Sequence, residues 1–212
     1  MPALEFLDGA AVRRWCGVAA EALGAVRDQL NALNVFPVAD ADTGTNLHLT
    51  MLAAVRALDE LPAAAGPNEV WHALAHGVLL GAQGNSGVIV SQFLRGLADV
   101  CAPAAPCDGI AIQQALAHAA RLSYAAVGEP VEGTVLTVAS AGAASAAVAG
   151  PSLLAVARAA AQGAALELAR STAKLEVLAR AGVVDAGGAG LCVLLDALAA
   201  VVSGAHAVTY LI

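Results

Sequence analysis

Between Asn31 and Asn46 the chain reads Asn-Ala-Leu-Asn-Val-Phe-Pro-Val-Ala-Asp-Ala-Asp-Thr-Gly-Thr-Asn. Three asparagines, two aspartates one residue apart, two threonines and a glycine stand here between two apolar runs. Side chains of these types can hold a hard cation and a phosphate. Pro37 cannot continue a helix and pushes Phe36 towards an extended conformation, so the preceding helix is expected to end near Val35. On a helix Asp40 and Asp42 would point to different faces, whereas on an extended segment they point to the same side. Two carboxylates held that close favour a cation between them. Magnesium suits the case, because it is held by one or two carboxylates together with waters and substrate phosphates. Asp40 and Asp42 are therefore the candidate catalytic and metal-binding pair. Thr43, Gly44, Thr45 and Asn46 lead into the apolar run 47–52 and read as a helix start, whose free amides would favour an anion. A calcium loop beginning at Asp40 would need a ligand where Gly44 stands and a glutamate where Met51 stands, so that chemistry is excluded. A capped turn without metal is the plain alternative.

A second polar stretch runs Gly81-Ala82-Gln83-Gly84-Asn85-Ser86-Gly87. It is not a P-loop, since Gly-Lys-Ser/Thr is missing. Gly84 and Gly87 could still bring backbone amides against a phosphate, with Asn85 and Ser86 adding donors. Its alternatives are close helix packing and a simple turn. A third Gly-rich stretch covers 183–190, where Asp185 either caps a helix or touches a ligand. His72 and His76 share one helix face at i,i+4 spacing, but no third metal ligand accompanies them.

The elements that position these loops read as helices. Hydrophobic residues make up 59% of the 212 residues and aromatics only 3%, the excess being mostly alanine. Alanine favours helix, and its small side chain lets helices approach closely. The expected helices run from after Asp8-Gly9 to about Val35, from Asn46 to Leu61, and from Asn68 to Gly81. The next run from Val88 past Leu97, from Asp108 to Val127, and from Thr134 to near Gly150. The last two run from Ser152 to Ala181 with a break near Arg170-Ser171, and from the 183–190 turn to Ser203. This predicts an all-α, eight-helix up-and-down bundle or barrel with a nucleotide and metal site at one end. The polar loops lie at 34–46, 81–87, 128–134 and 183–190, and on these boundaries they do not all alternate cleanly between the two ends. Residues 1–205 form the expected domain, with 206–212 the start of a linker or following domain.

A net charge of −7 argues against nucleic acid as partner. Cys16, Cys101, Cys107 and Cys192 form no Cys-x-x-Cys pair and read as reduced thiols, with Cys16 and Cys192 in the core. The N-terminus carries no basic segment followed by an apolar run, so a cytoplasmic protein is expected. Gly133 to Ala157 is uncharged over a length that could cross a bilayer. Its wealth of Gly, Ala, Ser and Thr instead favours a buried helix, a turn and another helix, with no membrane insertion.

Four motifs in order carry a family resemblance. The stretch 33–46 resembles the N-terminal kinase domain of bacterial fatty acid kinases. So do Gly81 to Gly96, Val131 to Val138 and Ala181 to Gly190. That domain is related to the nucleotide-binding subunit of dihydroxyacetone kinase. The resemblance implies an eight-helix barrel holding ATP or ADP with two magnesium ions (Mg2+) at one end. It implies Asp40 and Asp42 as metal ligands with Asn34 as a third, and Thr43, Thr45 and Asn46 as phosphate or metal-shell residues. It implies Gly84, Asn85, Ser86 and Gly87 as the phosphate loop, and places Thr134, Leu136, Asp185, Ala186 and Gly187 near the adenosine. It implies transfer of phosphate to a fatty acid carboxylate presented by a separate fatty-acid-binding partner protein. Oligomeric state stays open, a homodimer included. Two departures bear on this. The family usually has Gly where this chain has Ala41, which would be strained if the position needs positive φ. Its members are also much longer. The alternatives are a dihydroxyacetone-kinase-type phosphotransferase, which usually has His where Thr43 stands, and a nucleotide-binding regulatory module without turnover.

Overall fold

The protein is described by a computed structural model over residues 3–104 and 106–204. The expected linker at 206–212 lies outside the described residues. Within them the regular structure is helical, with no strand. The helices are α1 (Gly9–Ala25), α2 (Arg27–Ala32), α3 (Thr43–Asp59), α4 (Pro67–Leu80), α5 (Gly84–Cys101), α6 (Gly109–Ala125), α7 (Val135–Ala147), α8 (Leu153–Lys174), α9 (Glu176–Ala181) and α10 (Ala186–Ser203). Two of the eight expected helices are each divided in two. The first breaks at Val26, and the seventh breaks at Leu175 instead of at Arg170-Ser171. Leu175 is extended, with φ −124° and ψ 115°.

The caps follow from local chemistry. Asp8, Asp108, Ser152 and Asp185 each accept a backbone N–H from the first turn of the helix they precede. Arg13 donates to the Leu58 carbonyl and, at 3.1 Å, to that of Pro62, satisfying the C-terminal end of α3.

Each long helix packs on the next, and α10 packs on both α8 and α1, so the order α1, α3, α4, α5, α6, α7, α8, α10 closes into a ring. Small residues allow these approaches. A Cβ on Gly96 would lie 2.5 Å from the Ala119 Cα between α5 and α6, and one on Gly190 would lie 2.2 Å from Leu47 Cδ1 between α10 and α3. The interior holds Trp15 and Trp71 with ring centroids 6.3 Å apart, and Trp15 Nε1 donates to the Leu194 carbonyl at 2.9 Å. α10 is long and apolar enough to cross a membrane, but 78% of its apolar stretch is buried against the other helices. The uncharged stretch 133–157 forms α7, a turn and the start of α8.

Candidate functional site

Three helices begin earlier than their sequence suggests. α3 starts at Thr43 instead of Asn46, α5 at Gly84 instead of Val88, and α10 at Ala186 within the expected turn. The polar motifs are therefore first turns of helices, where the N–H groups have no intrahelical partner. In the closed ring the four motif-bearing connections are the first, third, fifth and seventh. They do alternate cleanly, and all four lie at one end of the antiparallel barrel. The helices leaving that end, α3, α5, α7 and α10, all direct their N-termini to it.

Between these N-termini lies a cleft of about 520 Å³. Asn34, Asp40, Asp42, Thr43 and Asn46 line it from the first connection, and Gly84, Asn85 and Ser86 from the third. Thr134 and Leu136 line it from the fifth, and Asp185 and Gly187 from the seventh. Gly44, Thr45, Gly87 and Ala186 do not line it. A Cβ on Gly44 would lie 2.2 Å from the Arg27 carbonyl, so this glycine lets α3 cross α2. Thr45 exchanges two hydrogen bonds with Asn31: its N–H donates to Asn31 Oδ1, and Asn31 Nδ2 donates to its hydroxyl, each at 3.0 Å. Gly87 faces Thr50 Oγ1, which a Cβ would approach to 2.5 Å, and Ala186 is buried.

The sequence reading missed the apolar wall of the cleft. Phe36, Val38, Val88, Ile89, Val127, Val131 and Val135 line it, together with one further acid, Glu129. Their nearness to the motifs was the available signal. Isolated apolar residues beside a polar loop are otherwise indistinguishable from core.

The charge balance of the lining is one-sided. Asp40, Asp42, Glu129 and Asp185 contribute carboxylates, and no Lys, Arg or His lines the cleft among the described residues. Positive potential comes instead from helix N-termini. In α5 the amides of Gly84, Asn85 and Ser86 meet no protein acceptor among the described residues, since the first amide bonded to the preceding turn is that of Gly87. Gly84 has φ +59°, and a Cβ there would lie 2.3 Å from Asn46 Nδ2. Asp42 is the N-cap residue of α3, yet its side chain makes no capping bond, which leaves the carboxylate free. Ala41, between the aspartates, has φ +54°. The strain feared for a non-glycine residue at this position is therefore present.

The other three N-termini are engaged: in α3 the Thr43 and Thr45 N–H groups donate to Asn34 Oδ1 and Asn31 Oδ1. Thr134 Oγ1 accepts the Leu136 N–H at 3.4 Å and donates to the Val131 carbonyl at 2.7 Å. Asp185 Oδ2 accepts the Gly188 N–H at 2.6 Å, and its carboxylate also accepts the Val135 N–H of α7. Asp185 is 5% exposed. Burial raises its pKa from 3.8 to about 6, against the lowering by these two backbone donors.

Among the described residues no three His, Cys, Asp or Glu side chains gather to hold a metal, His72 and His76 included. A pair of carboxylates without further protein ligands still fits magnesium, whose remaining positions are taken by waters and phosphates. His48 is structural: its ring packs over Gly24, and its Nδ1 lies 3.0 Å from the Ala20 carbonyl. All four cysteines are buried free thiols, Cys101 and Cys107 as fully as Cys16 and Cys192.

A closed helical ring with a loop-built, acid-lined cleft at the end where four helices begin defines an α-helical domain with one terminal site. The chain belongs to the DAK2 domain family, whose model matches residues 37–200. It is 36% identical to Protein YloV of Bacillus subtilis over 201 residues, which are 93% of this chain and 36% of that protein. It is also 36% identical to an uncharacterized protein of Staphylococcus saprophyticus over 175 residues, 79% of this chain and 31% of that protein. The chain thus spans about a third of the length of the curated relatives it matches. Its fold resembles the crystal structure of the C. freundii dihydroxyacetone kinase in complex with AMP-PNP and Mg2+. The TM-score is 0.64 at 21% identity, over 94% of this chain and 34% of that one. The native form of that kinase matches with a TM-score of 0.61 at 23% identity, over 90% of this chain and 34% of that one.

Proposed function

We propose that the domain is an ATP-dependent phosphotransferase module that phosphorylates a fatty acid carboxylate presented by an acyl-binding partner protein, giving an acyl phosphate. One observation carries the nucleotide part of this reading. The carboxylates of Asp40 and Asp42 share a cleft with the open N-terminus of α5, and no basic side chain lines that cleft among the described residues. A polyphosphate could not approach Asp40 and Asp42 unless a cation lay between, and the open start of α5 favours its oxygens. Magnesium held by Asp40 and Asp42, as two ions in this reading, would neutralise the phosphate charge. The family membership and the AMP-PNP and Mg2+ bound by the C. freundii kinase support it.

The cleft also has a direction. The amides of Gly84, Asn85 and Ser86 would take phosphate oxygens, with Thr43 and Asn46 facing them. At the other side the N-termini of α7 and α10 are already occupied by Thr134 and Asp185, and Val131, Val135 and Leu136 offer apolar surface for a base. No general base is needed for a carboxylate acceptor, which is ionised at neutral pH. Positioning and charge neutralisation suffice for phosphoryl transfer, in keeping with a cleft lined by no histidine among the described residues. The resemblance of the four motifs to fatty acid kinases supports the acyl acceptor.

A second reading takes dihydroxyacetone as acceptor, favoured by the fold likeness to the C. freundii enzyme. Calorimetric titration of AMP-PNP with magnesium and then with EDTA tests the shared part. Binding should require magnesium, and Asp40→Ala or Asp42→Ala should abolish it while circular dichroism keeps its helical signal. Full binding by both variants would remove the metal site from the reading. Phosphate transfer to a partner-bound fatty acid, followed by 31P NMR against dihydroxyacetone as the competing acceptor, decides between the two.

A further inference from the structure

Asn34 is 6% exposed and engaged at both ends of its amide. Nδ2 donates to the Val38 carbonyl at 2.6 Å. Oδ1 accepts the Thr43 N–H at 3.0 Å and also the Thr43 hydroxyl. An amide oxygen has two lone pairs, so none is left for a cation. These bonds grip the loop before and after the aspartates. Between the grips stands Ala41 at φ +54°, the one non-glycine residue of positive φ among the described residues. Its Cβ disfavours that conformation, so a loop released at either end would relax away from it.

We propose that Asn34 is a positioning residue and not a metal ligand: its amide ties Val38 to Thr43 and so holds Ala41 in the left-handed turn that presents Asp40 and Asp42 to the cleft. The proposal rests on the reading of Asp40 and Asp42 as metal ligands. It corrects the third-ligand role that the family resemblance implies for Asn34.

Asn34→Asp separates the two roles. As a metal ligand, a carboxylate would hold magnesium at least as well as an amide. As a clamp it fails, because it has no N–H and sets a negative oxygen against the Val38 carbonyl. Asn34→Asp and the uncharged Asn34→Ala are each measured alone and combined with Ala41→Gly. The readouts are the magnesium dependence of AMP-PNP binding, thermal melting, and hydrogen exchange of the Thr43 amide without metal. Each single variant should weaken the apparent magnesium affinity by about tenfold, the scale of one lost buried hydrogen bond. Each should also speed Thr43 exchange. Ala41→Gly should restore most of the affinity in both, since glycine adopts the turn without a Cβ penalty. A merely destabilised fold would lower the melting temperature without this rescue. Magnesium affinity in Asn34→Asp equal to or tighter than wild type overturns the proposal, as does the absence of rescue in both backgrounds. If the wild type binds nucleotide without magnesium, the metal reading falls by itself. Thr43 exchange in the metal-free protein then decides the clamp: faster in the variants upholds it, unchanged overturns it.

Discussion

Asp185→Asn tests the reading of the buried carboxylate that joins α7 to α10. Burial raises the pKa of Asp185 from 3.8 to about 6 in the fold. That rise is worth about 3 kcal/mol between the two protonation states. Because the folded value is the higher one, the folded protein binds the proton more tightly than the unfolded chain. Stability from this group is therefore fully present at low pH and is lost as pH rises from 3.8 through about 6. Between pH 7.5 and pH 4.5 the wild type should gain about 2 kcal/mol that a non-titrating side chain cannot supply. Asparagine is nearly isosteric and neutral throughout. Its Oδ1 can still accept the Gly188 N–H, while its amide group faces the Val135 N–H, a loss of about 1 kcal/mol that is the same at every pH. The assay is urea unfolding by circular dichroism at half-unit pH steps, without nucleotide or magnesium. Contributions from all other groups cancel in the difference between the two proteins. The difference curve should favour the wild type by about 2 kcal/mol more at pH 4.5 than at pH 7.5. Parallel curves would mean that the carboxylate keeps its ordinary acidity despite its burial, and would refute the reasoning.

Other perturbations probe the cleft and the core. Gly84→Ala places a Cβ at φ +59° and against Asn46 Nδ2. It should cost about 1–2 kcal/mol, lower the melting temperature by a few degrees, and weaken magnesium-dependent nucleotide binding because Asn46 must move. Wild-type calorimetry from that variant would show that Asn46 does not face the ligand. Trp15→Phe loses the hydrogen bond to the Leu194 carbonyl, whereas Trp71 Nε1 is buried without a partner. Trp71→Phe should therefore be the milder change by about 1 kcal/mol, read from paired urea melts, and the reverse order would contradict the burial of an unpaired donor.

The order of helices around the ring was legible because proline, glycine and capping residues punctuate the sequence. Two breaks were not. Val26 interrupts the first helix with no glycine or proline at the break, and Leu175 interrupts the seventh well past the expected Arg170-Ser171. The larger misreading concerned where helices begin. Glycines suggested that 84–87 and 186–188 were loop, yet a first turn has no N–H bonds to lose and tolerates them. That shift decides which motif residues face the cleft. Each residue turns the helix by about 100°. Starting α3 at Thr43 therefore puts Thr43 and Asn46 on one face and sends Gly44 and Thr45 against α2. Starting α5 at Gly84 puts Val88 into the cleft and turns Gly87 towards Thr50. The motif residues were recognisable as a set, but their individual directions depended on helix phase. Ala41 was the exception: the family resemblance, with Gly usual at this position, pointed to the residue whose backbone sign mattered.

The bond from Trp15 to Leu194 spans 179 positions of the chain. It marks the seam where the first and last helices of the ring meet. A ring sealed by its final helix cannot close until that helix has been synthesised. Until α10 docks, α1 and α8 expose the apolar faces it covers, and α7 lacks the carboxylate that tethers its start. Local helix pairs such as α3 with α4 and α5 with α6 have short loops to close and can form early, whereas this seam waits for contacts between the two ends of the ring. Cotranslational folding should therefore yield a sticky seven-helix arc before the cleft exists. Nucleotide-binding competence would appear abruptly on release of the last helix from the ribosome.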